Sequence, residues 1–167
     1  GFGIANMADA LYAIKTLVYD EKKYTLSQFA DALRNNYGEP MPPVLATNLT
    51  TGVVTELANK GKVLDANGIA DVYTKISQNK TPADKKAFYQ KLKADIEALP
   101  KFGNDIKEVD LFARDVAYTY TKPLENYKNP RGGIFQAGLY PVSANVPLGA
   151  QTGATPDGRL AGTPVAD

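Results

Sequence analysis

The distribution of helical periodicity along the chain is the feature that most limits how it can fold. Between residues 4 and 127, apolar residues recur at three- and four-residue spacing, in stretches separated by breakers such as "EPMPPV". From Asn129 onward this spacing is lost, and glycine becomes frequent. The sequence therefore predicts a mainly helical region over residues 4–127, followed by a strand and ordered loop over residues 131–167.

Local signals predict where the helices begin and end. Thr25 and Gln28 match a capping box, in which each side chain bonds the backbone N–H of the other residue. Thr81-Pro82 is typical of a helix start. The predicted helices are 4–19, one that starts at Thr25 and ends at Gly38, 53–60, one capped by Asp65, one that runs from Pro82 to Pro100, and 106–127, which Pro123 is expected to kink or restart.

Charge and composition argue against two classes of partner. The formal net charge is +1, from 19 basic and 18 acidic residues, and no run of Lys and Arg exceeds two. This balance argues against nucleic acid or an anionic membrane as the main partner. No apolar stretch approaches the ~20 residues of a transmembrane helix. The lysines of residues 80–93 are interpreted as a solvated helix face.

Cysteine and histidine are both absent from the chain. It therefore has no thiol nucleophile, no imidazole base and no zinc-binding cluster of the usual kind. We predict no catalytic residue and no metal site within it. The "GATPDGRLAG" segment suggests a phosphate-binding loop, but it lacks the GxxxxGK[ST] pattern. We predict that this segment is a structural loop.

Arg131 is of interest because the backbone around it is restricted. Pro130 fixes its own φ and disfavours helical geometry at Asn129. Gly132 and Gly133 allow the chain to bend or to approach another group closely. A cation at such a position has a defined direction, which makes Arg131 a candidate binding residue.

Strand parity extends this candidate to Phe135. If residues 131–139 form a strand, alternate side chains share a face, so Arg131, Gly133 and Phe135 lie together. That face offers a cation, open space above the glycine and an aromatic wall, which suits a small carboxylate, phosphate or sulfonate. The alternative is an Arg131 that pairs with an acidic side chain at the strand end. Sequence physics leaves both interpretations open.

Three stretches of the chain together resemble the glycyl radical enzymes. They are "GFGIANMADALYAIKTLVYDEKKYTLSQFADAL", which contains a G-x-x-N-x-x-D-x-L-x-A-I-K pattern, "PKFGND", and "NPRGGIFQAGLYPVSANVPLGAQTGATPDGRLAGTPVAD". The third stretch resembles the dehydratase and lyase branch of the family. The resemblance covers residues 1–38 and 99–167 well, whereas residues 39–98 depart from it. We expect residues 1–167 to belong to a single barrel domain, with 39–98 as a variable helical insertion.

The resemblance implies an α/β fold, in which the chain is a segment of a ten-stranded barrel. It also implies a glycyl radical, installed by a radical SAM iron–sulfur activating enzyme, and a cysteine thiyl radical that acts on the substrate. This chain has no cysteine and lacks the R-V-x-G-Y type motif of the radical glycine. We therefore expect a C-terminal-half fragment that binds no cofactor and is inactive alone. Its implied partners are the rest of its polypeptide, the activating enzyme and a second subunit in a homodimer.

Within the branch, "PRGGIFQAG" resembles the isethionate sulfite-lyases. The resemblance implies that Arg131 binds the substrate sulfonate and that Phe135 lines the pocket, while isethionate is cleaved to sulfite and acetaldehyde. The alternatives are a glycerol or diol dehydratase or a choline trimethylamine-lyase. If 167 residues is the whole chain, the alternative is a non-catalytic anion-binding protein. The implied location is the cytoplasm of an anaerobic bacterium, and encapsulation in a microcompartment is left open.

Overall fold

Helices and the loops between them account for the described part of the chain, residues 3–78 and 80–166 of a computed structural model. The helices are α1 (Ile4–Ile14), α2 (Leu26–Arg34), α3 (Pro43–Asn59), α4 (Ala66–Gln78), α5 (Ala83–Glu97), α6 (Lys107–Leu124) and α7 (Asn145–Ala150). A π-helical segment, Lys15–Asp20, continues α1, and a short 3-10 turn, Asn36–Gly38, follows α2. The prediction of a mainly helical region over residues 4–127 is confirmed.

Two of the predicted caps, at Thr25 and Asp65, form as the sequence predicts, whereas α5 begins at Ala83 with Pro82 as a cap that makes no side-chain bond. The Thr25 hydroxyl accepts a hydrogen bond from the Gln28 backbone N–H at 3.2 Å, and the Gln28 side-chain Oε1 accepts one from the Thr25 backbone N–H at 2.8 Å. Asp65 accepts a bond from the Gly68 N–H at 2.8 Å before α4. These side chains satisfy backbone donors that have no partner within the helix.

Several predicted boundaries are wrong. α2 ends at Arg34 rather than near Gly38, because Asn36 and Tyr37 adopt left-handed backbone angles with φ of +47° and +52°. α3 begins at Pro43, ten residues before the predicted start, since a proline at the first helical position loses no hydrogen bond. Pro123 lies in the last turn of α6, which ends at Leu124, so the helix does not restart there. The six-residue α7 was not predicted.

The core lies where α1, α2 and α5 meet the loop after α2. Its buried side chains include Leu17, Phe29, Tyr37, Tyr89, Leu92 and Ile96. α6 packs along α1, with the Tyr12 and Phe112 rings edge to face at 5.6 Å between centroids. α3 and α4 pack against each other. Since α5 supplies core residues, the later part of residues 39–98 is integral to this packing, and their role as a variable insertion stays a prediction.

The strand predicted at residues 131–139 is wrong. Within the described residues the only β pairing is one isolated antiparallel bridge, between Lys128 and Ile134. Gly132 takes a φ of +85°, and the Asn129 side chain accepts bonds from the Arg131 and Gly133 N–H groups at 2.9 and 3.0 Å. The chain therefore forms a tight turn at Arg131, so alternation of faces does not begin there.

None of the helices in the described residues is both long enough and apolar enough to cross a membrane.

Candidate functional site

The two predicted binding residues lie on either side of the tight turn. Arg131 is exposed, and its guanidinium has no hydrogen bond or ion pair with any residue in the described ranges. Phe135 is 46% exposed and its N–H donates to the Tyr127 carbonyl at 3.2 Å. The alternative of a structural Arg131 ion pair is therefore not realised among the described acidic side chains. Phe135 is tied back to the end of α6.

A cavity of about 540 Å³, open to solvent and lined mostly by exposed side chains, lies beside Phe135 at the C-terminal end of α6. It is lined by Thr121, Glu125, Ile134, Phe135, Gln136, Ala137 and Leu139. Arg131 is not part of this lining, so the structure does not bring the two predicted residues into one cavity. Phe135 and Gln136 both line this cavity, although alternation along a strand would place their side chains on opposite faces.

The polar groups of this cavity favour a neutral ligand with hydroxyl groups. Thr121 carries a hydroxyl, Gln136 an amide and Glu125 a carboxylate. A carboxylate accepts hydrogen bonds from alcohols and repels anions, while an amide both donates and accepts. None of the described residues that line this cavity is a lysine or an arginine. Sequence reasoning missed all three polar residues, since nothing in their spacing links α6 to residue 136.

A second cluster joins the three stretches that resemble the glycyl radical enzymes. We call it the α1 junction: Asn6, Asp9, Lys101, Asp157 and the backbone of Phe102 and Ala166. The Asn6 amide nitrogen donates to the Asp157 carboxylate at 2.6 Å, and the Asn6 carbonyl oxygen accepts from the Ala166 N–H at 2.7 Å.

Two further hydrogen bonds complete the α1 junction. Asp9 accepts from the Phe102 N–H at 2.8 Å, and the Lys101 ammonium donates to the Asp157 backbone carbonyl at 3.0 Å. Burial raises the pKa of Asp9, although the Phe102 N–H opposes that rise. Asn6 and Asp9 are three residues apart, so they share one face of α1. Their spacing in the G-x-x-N-x-x-D pattern was the signal available in the sequence.

Arg159 holds the "GATPDGRLAG" segment together from inside. Its guanidinium donates to the carbonyls of Leu160 and Thr163 at 3.1 and 2.6 Å, and to those of Thr152 and Gly153. Burial lowers the pKa of this guanidinium. Its donors are directed at the protein's own backbone, so this segment is the structural loop that the sequence predicts.

Residues after α2 attach this loop to the core. The buried Asn36 side chain accepts from the Ala161 N–H at 2.7 Å, and the Tyr37 hydroxyl donates to the Thr155 carbonyl at 2.9 Å. The left-handed turn that ended α2 early therefore directs two side chains at the loop. Among the described residues, no group of three or more Asp, Glu, His or Cys side chains could hold a metal ion.

Known proteins resemble the chain along nearly all of its length. The family model described as pyruvate formate lyase-like matches residues 1–149. The chain thus belongs to the pyruvate formate lyase-like family of glycyl radical enzymes, whose members include dehydratases and decarboxylases. Its helical segment is consistent with a part of the barrel of such an enzyme.

Two solved structures and a curated relative show where in this family the similarity lies. A structure described under 1,2-propanediol dehydration in Roseburia inulinivorans is 53% identical, with a TM-score of 0.88, over 100% of this chain and 20% of that one. The B12-independent glycerol dehydratase from Clostridium butyricum is 35% identical, with a TM-score of 0.64, over 100% of this chain and 15% of that one. The probable dehydratase YbiW of Escherichia coli (strain K12) is 31% identical over 99% of this chain and 15% of its own length. The chain therefore spans between 15% and 20% of the length of these relatives.

Proposed function

We propose that the whole protein to which this chain belongs is a glycyl radical dehydratase of a small vicinal diol, with 1,2-propanediol as the expected substrate. The products are propanal and water. The observation that carries this proposal is the 53% identity, along the entire chain, with the Roseburia inulinivorans protein described under 1,2-propanediol dehydration.

The cavity beside Phe135 supports the same substrate class. Its lining combines apolar side chains with the hydroxyl of Thr121, the carboxylate of Glu125 and the amide of Gln136. These groups can bind the hydroxyls of a diol, while Phe135 contacts its methyl end. A sulfonate at this position would face the Glu125 carboxylate with no cation among the lining residues, which is unfavourable.

In this proposal the chain supplies part of the substrate pocket, and the radical chemistry takes place on residues elsewhere in the whole protein. The chain contains no cysteine, so the thiyl radical would come from outside it. The glycyl radical, which an activating enzyme would install, would generate that thiyl radical, and the thiyl radical would abstract hydrogen from the substrate. The residues described here would bind and orient the diol and limit access of water to the radical.

The second candidate function is cleavage of isethionate to sulfite and acetaldehyde. The observation that favours it is the exposed Arg131 guanidinium, which has no partner among the described residues and could bind a sulfonate by two parallel hydrogen bonds. In this case Arg131 would stabilise the charge of the departing sulfite as the C–S bond breaks. The whole protein would then have to bring Phe135 to the same sulfonate, since Arg131 does not line the cavity beside Phe135.

Replacement of Arg131 by glutamine separates the two candidates. If the substrate is a diol, the activated R131Q protein keeps its propanal-forming kcat/KM within about threefold of the unsubstituted protein. If the substrate is isethionate, loss of a charged hydrogen bond of about 1.5–3 kcal/mol lowers kcat/KM for sulfite release by about tenfold or more.

The matched control is Arg114→Gln. Arg114 is also an exposed arginine, but it lies on α6 and pairs with Asp115 at 2.7 Å. Its replacement is expected to leave either activity unchanged. A diol activity that falls tenfold or more in R131Q and not in R114Q would contradict the assignment of diol binding to the cavity beside Phe135.

A further inference from the structure

The chain contains one Asn-Gly pair, Asn67-Gly68, and this pair lies in the first turn of α4. Asn67 is exposed, and its side-chain amide makes no hydrogen bond with any other described residue. Gly68 has no Cβ that would hinder access to its backbone nitrogen. The two groups that react when an asparagine loses its amide, the side-chain Cγ and the next backbone nitrogen, are therefore adjacent and accessible to water.

Deamidation of such a pair needs no enzyme and no cofactor. The Gly68 nitrogen loses its proton and attacks the Asn67 Cγ, the bond from Cγ to the side-chain nitrogen breaks, and that nitrogen takes up a proton and leaves as ammonia. Water then opens the succinimide ring at one of its two carbonyl groups. One opening gives aspartate, and the other gives isoaspartate, in which the main chain runs through the side-chain carbon.

Asp65 holds the nitrogen that would attack. Its side-chain oxygen accepts a hydrogen bond from the Gly68 N–H at 2.8 Å, and its backbone carbonyl accepts one from the Ile69 N–H at 3.0 Å. Attack on Asn67 requires the Gly68 N–H to lose its proton and to turn toward Cγ, so the bond to Asp65 has to break first. The cap therefore protects the pair for as long as the first turn of α4 is formed.

We propose that Asn67-Gly68 is a latent deamidation site, which the Asp65 cap protects and which reacts when the first turn of α4 opens. This inference does not depend on the proposed function, because it involves neither the substrate nor the radical. It assigns to Asp65 a role beyond the start of the helix, which is to keep a reactive peptide unit in a conformation that cannot close the ring.

The two products are expected to affect α4 in different ways. No side chain in this described turn is acidic, so aspartate at position 67 would place a carboxylate near the N-terminus of the helix, where the helix dipole favours it. Isoaspartate lengthens the main chain by one carbon. The first turn, and with it the start of the packing between α3 and α4, could then not form in the same way.

The test follows deamidation at residue 67 in the whole protein and three variants during incubation at pH 8. Asp65→Ala removes the cap and is expected to raise the rate about fivefold, the factor that corresponds to the usual loss of stability on removal of a helix cap. Asp65→Ser keeps a capping oxygen, so its rate is expected to stay close to that of the unsubstituted protein.

The third variant, D65A/G68A, separates the reaction from the loss of the cap. A Cβ at Gly68 would meet the Asp65 side-chain oxygen at 3.2 Å, and D65A removes that oxygen, so the alanine has room. The double variant lacks the cap but carries a Cβ beside the attacking nitrogen. Its rate at residue 67 is therefore expected to fall well below that of D65A.

Mass spectrometry of the peptide that contains residue 67 measures the change from amide to carboxylate, and an assay for isoaspartyl groups measures the second product. Asn59 is the internal control, because it is exposed at the end of α3 and is followed by Lys60, whose side chain hinders the same attack. Its rate is expected to be equal in all four proteins.

Equal rates at residue 67 in D65A and in the unsubstituted protein would overturn the proposal, and so would a D65S protein that reacts as fast as D65A. A D65A/G68A protein that reacts as fast as D65A would show that the glycine nitrogen is not the attacking group. An increase at Asn59 equal to that at residue 67 would show that the whole fold opens, which would contradict the assignment to the first turn of α4.

Discussion

Two tyrosine hydroxyls donate to carboxylates across the contact between α5 and residues 24–31. The Tyr89 hydroxyl donates to Asp31 at 2.5 Å, and the Tyr24 hydroxyl donates to Asp95. Burial, together with the Asp31 carboxylate, raises the pKa of Tyr89 to about 12. The hydrogen bond from Lys23 and then that from Tyr24 lower the pKa of Asp95 to about 2. These residues stabilise the attachment of α5 through charge as well as apolar contact.

Replacement of Asp95 is expected to change the pH dependence of stability. Because the pKa of Asp95 is lower in the folded chain than its unfolded value of about 3.9, its contribution is complete above that value and is lost as the pH falls toward about 2. Since the side chain is still 21% exposed, we expect D95N to lower the free energy of unfolding by about 1 kcal/mol at pH 7. The difference is expected to vanish near pH 2.

Urea unfolding of the chain at several pH values, followed by circular dichroism, measures this effect. Asp115→Asn is the matched control, because Asp115 is exposed and pairs only with its neighbour Arg114 in the contacts described. A D95N penalty that stays constant from pH 7 to pH 2 would show that the carboxylate charge is not its cause.

The sequence predicts the local backbone of a single residue better than the side chains that lie around it. The restricted backbone at Arg131 was predicted correctly, because proline and glycine act locally. The shared face of Arg131 and Phe135 was not, because it depended on a strand that needs neighbours to pair with. Strand alternation would also separate Gln136 from Phe135, whereas in the structure both residues line one cavity.

A helix in this chain begins or ends where its local sequence signal predicts only if no distant contact overrides that signal. The capping box of α2 formed as predicted, since Thr25 and Gln28 need only each other. The end of α2 depends on distant contacts, because Asn36 and Tyr37 turn toward the loop at residues 155–161. No periodicity in the sequence indicates such a contact. This explains why the start of the helix was predictable and its end was not.

Two helical glycines are expected to respond oppositely to alanine. A Cβ at Gly52, inside α3, would meet nothing within 4 Å, so G52A is expected to raise the free energy of unfolding by about 1 kcal/mol through helix propensity. A Cβ at Gly149, in α7, would lie 2.2 Å from the Thr163 carbonyl oxygen and 2.5 Å from the Pro164 Cα. G149A is therefore expected to lower the free energy of unfolding by about 1–3 kcal/mol.

Thermal unfolding of the two variants side by side checks this pair, with each substitution serving as the control for the other. Equal effects in the two variants would contradict the close contact of α7 with residues 163–164.

At the scale of the molecule, the family resemblance and the tertiary contacts coincide. The three stretches that resemble the family are separate in sequence, yet Asn6, Asp9, Lys101 and Asp157 join them at the α1 junction. The sequence indicates the family through these stretches, and in the structure their side chains contact one another. It could not predict the cavity at Phe135, because this cavity is formed by α6 and a turn that only the tertiary fold brings together.

The most direct test of this account is the product that the activated whole protein forms under anaerobic conditions from 1,2-propanediol and, separately, from isethionate. Propanal from the diol, with no sulfite from isethionate, is the result predicted by the 53% identity with the Roseburia inulinivorans protein and by the lining of the cavity. Sulfite and acetaldehyde from isethionate, with no propanal from the diol, would contradict the proposed function. That result would favour the second candidate function, in which Arg131 binds the sulfonate.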